Sequence, residues 1–393
     1  MFYNLSVDTL ESFCHLANEM DWELEEEQTS STLKLDSKKE THLVLYSAQT
    51  PHGKPLRLLK TLLSSACERD CFYCPFRAGR DKPRATFHPE EFARLFIQLY
   101  QAGLADGLFL SSGLAGGGVR TQDKLLDTAD ILRNKLGFHG YLHLKLMPGA
   151  EKDQVLRAMQ LADRVSINLE APNAERLSRL APHKGFFDEI LQPLQWVEQI
   201  RRTLPPQQGW QGRWPSAVTQ LVLGAAVESD REILQTSAWL FRSLKLSRTY
   251  YSPFRPVPDT PLENHPPVNL VRQRRLYQAS FLLRDYGFRL SDLTFGNDSN
   301  LPLEVDPKKA YAERYFRETP IEINRATPQQ LLRVPGIGPQ GVQRILQARQ
   351  HTRLTDLSQL RKLGIETQRA APYLLLNGRR PGRQLSFESI LPQ

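Results

Sequence analysis

Cysteine is scarce in this chain, with four among 393 residues, so no disulfide framework is expected and a reducing compartment is. Long apolar runs are missing too. No window approaches about eighteen uninterrupted apolar residues and no apolar leader follows Met1, so the expectation is a soluble, cytoplasmic protein without membrane contact. No low-complexity tract interrupts the chain, and its length suffices for two or three domains with a sizeable core.

What cysteine there is stands together. Cys67-Glu68-Arg69-Asp70-Cys71-Phe72-Tyr73-Cys74 holds three of the four, and only Cys14 lies elsewhere. Thiolates crowded on one short loop repel one another unless a metal neutralises them, so the loop reads as a soft-metal site. Three thiolates are one ligand short of the usual four-thiolate iron–sulfur cluster and of a closed zinc site, which leaves a coordination position open. Two rival readings stand beside this one: zinc held with His15 or Cys14 as fourth ligand, and a purely structural cluster closed by Cys14.

Positive charge is unevenly spread. From Ile321 to Gln393 eleven Arg and Lys stand against four acids, a surplus of seven in a chain whose net charge is +8. A polyanion partner for this segment is expected, with a solvated basic helical face as the bland alternative. The acidic stretch Glu19–Glu27 reads as solvated surface.

From about Leu56 to Tyr286 short apolar runs alternate with amphipathic helical patterns. The strand-like runs are Leu56–Leu63, Gly107–Leu110, Tyr141–Met147, Arg164–Leu169, Val218–Ala225 and Arg248–Tyr251. Six strands, each followed by a helix, predict a parallel α/β sheet with right-handed crossovers, a partial, TIM-like (βα)6 barrel. Ligands of such sheets gather at the carboxyl ends of the strands, where Cys67, Gly113, Glu170 and Glu228 should meet. Asp230 is expected to cap the helix running to Leu244, and Pro89 to open another. The domain boundaries predicted are a cap over 1–50, a junction at Pro51-His52-Gly53-Lys54-Pro55, a core over 51–295, a linker over 296–316 and a small all-α module over 317–393.

Within that module Thr327-Pro328 caps and opens a short helix with Leu331 and Leu332 inward. Pro335-Gly336-Ile337-Gly338 breaks it, and a second helix follows with Val342, Ile345 and Leu346 inward. These residues resemble the helix-hairpin-helix DNA-binding motif. The resemblance implies that Gly336, Gly338, Gln340 and Arg344 sit against backbone phosphates at a helix N-terminus, positioning DNA without reading its bases. A weaker repeat follows: Asp356–Lys362 as a helix, Leu363-Gly364-Ile365 as a degenerate hairpin and Thr367–Leu376 as a helix. Arg361, Lys362 and Arg369 would then share a basic side. A protein-docking module built on a glycine turn is the alternative.

A Cys-x3-Cys-x2-Cys loop directly after a strand of a βα repeat, with an aromatic residue before its third cysteine, resembles the radical S-adenosylmethionine superfamily. That resemblance implies that Cys67, Cys71 and Cys74 hold a 4Fe–4S cluster whose fourth iron chelates S-adenosylmethionine. An electron from a low-potential donor would then release a 5′-deoxyadenosyl radical. It further implies cofactor contacts from Tyr73, from Ser112 and Gly113 after the second strand, from Asn168 and Glu170 after the fourth, and from Gly224 and Glu228 after the fifth. Lys145 and Arg77 are candidates for holding carboxylates nearby, and Cys14 or Tyr251 for donating hydrogen to a substrate radical. With no cysteines to spare, an auxiliary cluster or a pair of methyl-transfer cysteines is not expected.

From Leu56 to Leu376 the chain resembles the family described as DNA modification or repair proteins of the radical S-adenosylmethionine type. The residues that carry this are Pro83-Arg84-Ala85-Thr86-Phe87, Gly107-Leu108-Phe109-Leu110-Ser111-Ser112-Gly113, Ser229-Asp230-Arg231 and Tyr250-Tyr251-Ser252-Pro253-Phe254, with the hairpin module behind them. A shorter, more acidic N-terminus and Gly116-Gly117-Gly118 depart from that pattern and bear on substrate access. The resemblance implies an enzyme that modifies or repairs DNA. An RNA-modifying enzyme with the same chemistry, and a non-enzymatic DNA-binding protein with a structural cluster, are the alternatives. A base within a duplex would have to be extruded, damaged or single-stranded to be reached.

Overall fold

The computed structural model describes residues 7–22, 30–34, 42–49 and 55–381. Residues 51–54 of the expected junction, 23–27 of the acidic stretch and 382–393 of the module lie outside them. The chain divides into two compact units, Met1–Glu228 with Trp239–Gln273, and Ser229–Ala238 with Arg274–Gln393.

The first unit is built on one eight-stranded sheet whose strands lie in sequence order. Helix α1 (Val7–Asn18) comes first. Strand β1 (Ser30–Lys34) pairs antiparallel with β2 (His42–Gln49), and β2 antiparallel with β3 (Pro55–Leu62). From β3 onward every neighbour is parallel: β4 (Gly107–Ser111), β5 (Tyr141–Lys145), β6 (Arg164–Ser166), β7 (Ser216–Leu223) and β8 (Arg248–Pro253). The crossovers carry α2 (Pro89–Gln101), α3 (Gly118–Asp130), α4 (Lys152–Leu161), α5 (Ala174–Leu180), α6 (Gln192–Thr203) and α7 (Asp230–Ser243). Helices on one side and a packed interior on the other bury these strands on both faces, so their apolar residues are not confined to alternate positions. Leu59, Leu108, Leu110, Leu142, Leu144 and Val165 are fully buried. Because the second neighbour of β3 is β2, not β8, the six parallel strands curl into an open half-barrel, the architecture expected from the alternation.

Three local expectations need correction. The segment expected only to cap the core adds β1 and β2 to the sheet, and α1 packs Phe13 against Phe87 and Phe92 with ring centroids 6.2 and 5.7 Å away. Ser229, not Asp230, caps α7. Its hydroxyl accepts the Glu232 amide at 3.3 Å while the Glu232 carboxylate accepts the Ser229 amide at 2.8 Å, so the Ser-x-x-Glu box outcompetes a lone aspartate. Asp230 accepts the amide of Leu301 instead, at 2.9 Å. Residues 307–316, assigned by composition to a linker, form a helix whose Ala312 and Phe316 enter the apolar core of the second unit.

That second unit continues from α8 (Leu270–Asp285) through α9 (Pro307–Phe316), α10 (Pro328–Leu332), α11 (Pro339–His351), α12 (Leu357–Lys362) and α13 (Thr367–Ala370). A two-stranded parallel ribbon, β9 (Ile321–Glu322) with β10 (Leu374–Leu375), closes it. Leu331, Val342 and Ile345 point into its core as expected. The last helix stops at Ala370, short of Leu376, because Pro372 cannot donate into a continuing α-helix and Leu374 pairs with Ile321.

Candidate functional site

The carboxyl ends of the parallel strands open onto a cavity of about 190 Å³ in the first unit. Its wall takes Cys67, Cys71 and Cys74 from the loop after β3, Ser112 and Gly113 after β4, Lys145 and Met147 at β5, Asn168 and Glu170 after β6, and Ser252 to Arg255 at β8. Tyr73, Lys184, Glu19 and Met20 also line it. Nine residues singled out in the sequence, Lys145 among them, thus come together. Gly224, Glu228, Cys14, Tyr251 and Arg77 do not line it. The Glu228 carboxylate accepts the amides of Gly224 at 2.5 Å and Ala226 at 3.2 Å and pairs with Arg272 at 3.3 Å, folding its own loop. Arg77 donates to the Asp70 carbonyl at 3.3 Å. Cys14 is buried in α1, and that burial raises its thiol to about 11. Tyr251 is fully buried in β8.

The cysteine loop is tethered at both flanks. Ser65 donates its amide to Ala85 and Phe87 to Leu63, each at 2.9 Å. The Arg84 guanidinium donates to the carbonyls of Ser65 at 2.7 Å and of Phe76 and Arg77 at 3.0 Å, so the Pro83–Phe87 segment stitches the loop to itself. Between the cysteines, the Glu68 carboxylate accepts the amides of Gly116 and Gly117 at 3.1 Å, which ties down the triple glycine. Arg69 pairs with Glu189, Asp70 sits 2.7 Å from His183, and the Phe72 amide donates to Leu180 at 2.7 Å. Sequence reasoning passed over these tethers. Their signal was available, since three charges inside a thiol loop need partners.

Gly113 answers a close approach, and the neighbour is the cysteine loop itself: a Cβ there would overlap the carbonyl of Ala66. Gly113→Ala is therefore expected to destabilise the first unit by about 1–3 kcal/mol. Chemical denaturation measures this, and an unchanged midpoint would contradict it. Glu170 holds a left-handed backbone at φ 65°, a cost of about 1–2 kcal/mol for a residue with a side chain. Its amide donates to Gln220 at 2.9 Å and its carbonyl accepts from Val222 at 2.7 Å, and these bonds keep it there. Its Oε1 lies 3.3 Å from the Lys184 ammonium, while the buried Oε2 has no hydrogen-bond partner.

The donor set suits an iron–sulfur cluster with three protein thiolates. Burial raises the Cys71 thiol, with Lys184 opposing and Glu170 and Cys67 adding to the rise. Burial and then Cys71 raise Cys74. Such thiols release their protons to a soft cation. Among the described residues no three His, Cys, Asp or Glu side chains are already grouped as a metal set, so the thiols share a wall and not yet an apex. The unpartnered Glu170 oxygen in the same wall adds an acceptor for a ligand donor.

In the second unit Thr327 and Gln330 form a reciprocal capping box that opens α10, with bonds of 3.2 and 2.9 Å. Gly338 caps α11, where the amides of Gln340 and Gly341 have no protein acceptor among the described residues; Gln340 is exposed and Gly341 is buried. Gln340, Arg344, Arg361 and Lys362 are exposed. Arg344 donates to the Leu363 carbonyl at 3.1 Å and Arg361 to the Thr367 hydroxyl at 3.0 Å. Part of the charge surplus is spent internally, since Arg333 pairs with Asp292 at 3.0 Å and Arg369 with Asp306 at 2.8 Å.

Lys308, which the sequence did not flag, donates to the Ile337 carbonyl at 2.6 Å under the hairpin. Burial, then Arg369, lower it to about 7, with Asp306 opposing. The unfolded chain then binds more protons than the folded one between about pH 7 and 10. Stability of this unit should therefore rise with pH across that window, by up to about 1.4 kcal/mol per unit. Denaturation of the intact chain at several pH values tests this, with Lys308→Met expected to flatten the slope; equal slopes would refute it.

Fold and site together define an α/β half-barrel with a thiol-lined cavity, joined in one chain to a helical hairpin module. The helix-hairpin-helix motif profile matches residues 317–368. The chain is similar to the FeFe-hydrogenase maturase HydG from Carboxydothermus hydrogenoformans, at 13% identity over 58% of this chain and 51% of that one, with a TM-score of 0.44. It is similar to methylornithine synthase (PylB) at 15% identity over 86% of each chain, TM-score 0.44. A radical SAM methyltransferase from Sphaerobacter thermophilus shares 15% identity over 65% of this chain and 74% of that one, TM-score 0.43. The chain spans about half the length of the HydG structures it matches. No curated protein sequence matches it.

Proposed function

We propose that the protein is a radical S-adenosylmethionine enzyme that modifies or repairs nucleic acid, with DNA as the first substrate to test. The observation that carries this reading is the shared cavity wall: Cys67, Cys71 and Cys74 meet Gly113, Asn168 and Glu170 where parallel strands end. The three cysteines would hold a 4Fe–4S cluster, which with bound S-adenosylmethionine supplies a 5′-deoxyadenosyl radical on one-electron reduction by a low-potential donor.

The chain's own residues do the rest. Asn168, in the cavity wall, accepts from Lys145 at 2.7 Å through its oxygen, and its amide nitrogen would donate to a bound ligand. Glu170 offers an acceptor oxygen to a hydroxyl or an amine. Met147, Phe254 and Tyr73 give the wall its apolar lining and keep water from the reacting atoms. In the second unit the hairpin amides and Arg344 would hold backbone phosphates, and a base would be presented by extrusion or from a single strand.

The test is anaerobic reconstitution with iron and sulfide, followed by dithionite and S-adenosylmethionine in the presence of duplex DNA, single-stranded DNA or structured RNA. Formation of 5′-deoxyadenosine and a changed nucleoside mass are expected, with affinity falling as salt rises. Iron-loaded protein that makes no 5′-deoxyadenosine overturns the enzyme reading. RNA outcompeting DNA at every salt concentration moves the substrate to RNA.

A further inference from the structure

We infer that Lys184 is a charge-compensating residue for the thiol site, and that with Glu170 it sets how readily that site accepts an electron. This rests on the functional reading above. Lys184 lies in the connection between α5 and the helical turn Phe186–Leu191. The connection and the turn after it are both fastened to the cysteine loop, the first by His183 to Asp70 at 2.7 Å and the second by Glu189 to Arg69. The ammonium is thus carried on a strap anchored to the loop that it faces.

Lys184 and Glu170 are paired at 3.3 Å with side chains only 8% exposed, and both line the cavity with the three cysteines. A buried ion pair is a poor source of stability by itself, so its place beside the thiols calls for another use. The ammonium shares one cavity wall with the sulfurs of Cys71 and Cys74. Net charge around a cluster is one of the levers on its reduction potential, and charge in a poorly hydrated wall is weakly screened. The lysine favours an added electron and the glutamate opposes it. Both signs act on the same atoms.

The experiment is an EPR-monitored redox titration of the reconstituted protein without S-adenosylmethionine, comparing wild type with Lys184→Met, Lys184→Arg and Glu170→Gln. Lys184→Met should lower the reduced-to-oxidised ratio at a fixed donor potential about tenfold, a fall of 59 mV for one electron. Lys184→Arg should stay near wild type, and Glu170→Gln should shift the midpoint upward. A purely structural role would shift both neutralising variants in the same direction, and that result overturns the inference, as do coincident midpoints. If Lys184→Met fails to retain iron, Glu170→Gln decides alone, and no upward shift refutes the proposal. Wild type that takes up no iron sinks the functional reading and this inference together, whereas iron-loaded variants with unshifted midpoints sink this inference only.

Discussion

Cys71→Ser should yield a folded, nucleic-acid-binding and iron-free protein. Cys71 is 6% exposed and central to the loop, and serine keeps its size while removing the soft donor. Iron content should fall from about four per chain to near none, since a cube cannot stay bound through two thiolates. Formation of 5′-deoxyadenosine should fall at least about a thousandfold, or about 4 kcal/mol of barrier lowering. Iron analysis, product chromatography and a DNA-binding titration check the three parts together. Full iron retention in this variant would remove Cys71 from the metal site, and zinc in its place would revive the closed-site alternative.

Gly336→Val and Gly338→Val should separate sharply although the two glycines share one hairpin. Gly336 has φ 82° and an added Cβ would lie 2.5 Å from the Glu366 carbonyl oxygen. Valine there meets backbone strain and overlap at once, so a loss of about 3 kcal/mol or more in the second unit is expected. Gly338 has φ −100°, an ordinary value, and its Cβ would meet only the Tyr286 hydroxyl at 3.4 Å. Gly338→Val should therefore fold. Its side chain would crowd the open amides of Gln340 and Gly341, and DNA affinity should drop at least about tenfold, near 1.4 kcal/mol. Thermal unfolding and binding isotherms of both variants decide the matter, with cofactor cleavage expected to be unaltered in the second. Wild-type DNA affinity in Gly338→Val would remove the hairpin from the interface.

The half-barrel was legible because parallel strands buried on both faces leave short apolar runs such as Gly107–Leu110, which alternate with helical patterns. The convergence of Cys67, Gly113 and Glu170 followed from topology alone, since strand ends of one parallel sheet share an edge, whereas Glu228, expected with them, stays out of the cavity. Side chains that reach across the chain were not legible. Lys184 meets Glu170, and Arg84 meets Ser65, only after folding, and nothing local distinguishes them from solvated cations. Glu228 misled for a related reason, because a carboxylate after a strand looks alike whether it faces a ligand or folds back on the amides of Gly224 and Ala226. Charge counting overstated the free cations of the second unit, since Arg333 and Arg369 are already neutralised by aspartates.

Arg84, with the bridge between Ser64 and Thr86, shapes the thiol loop through protein contacts alone. In many small metal sites the ion must organise disordered chain, at about 1–2 kcal/mol of entropy for each residue fixed. Here that ordering is done by a guanidinium and three carbonyls, which leaves little more than thiol rotation to accompany loading. If the loop holds the proposed cluster, its loss to oxygen would leave a receptive apoprotein, and refilling would need no refolding of the barrel.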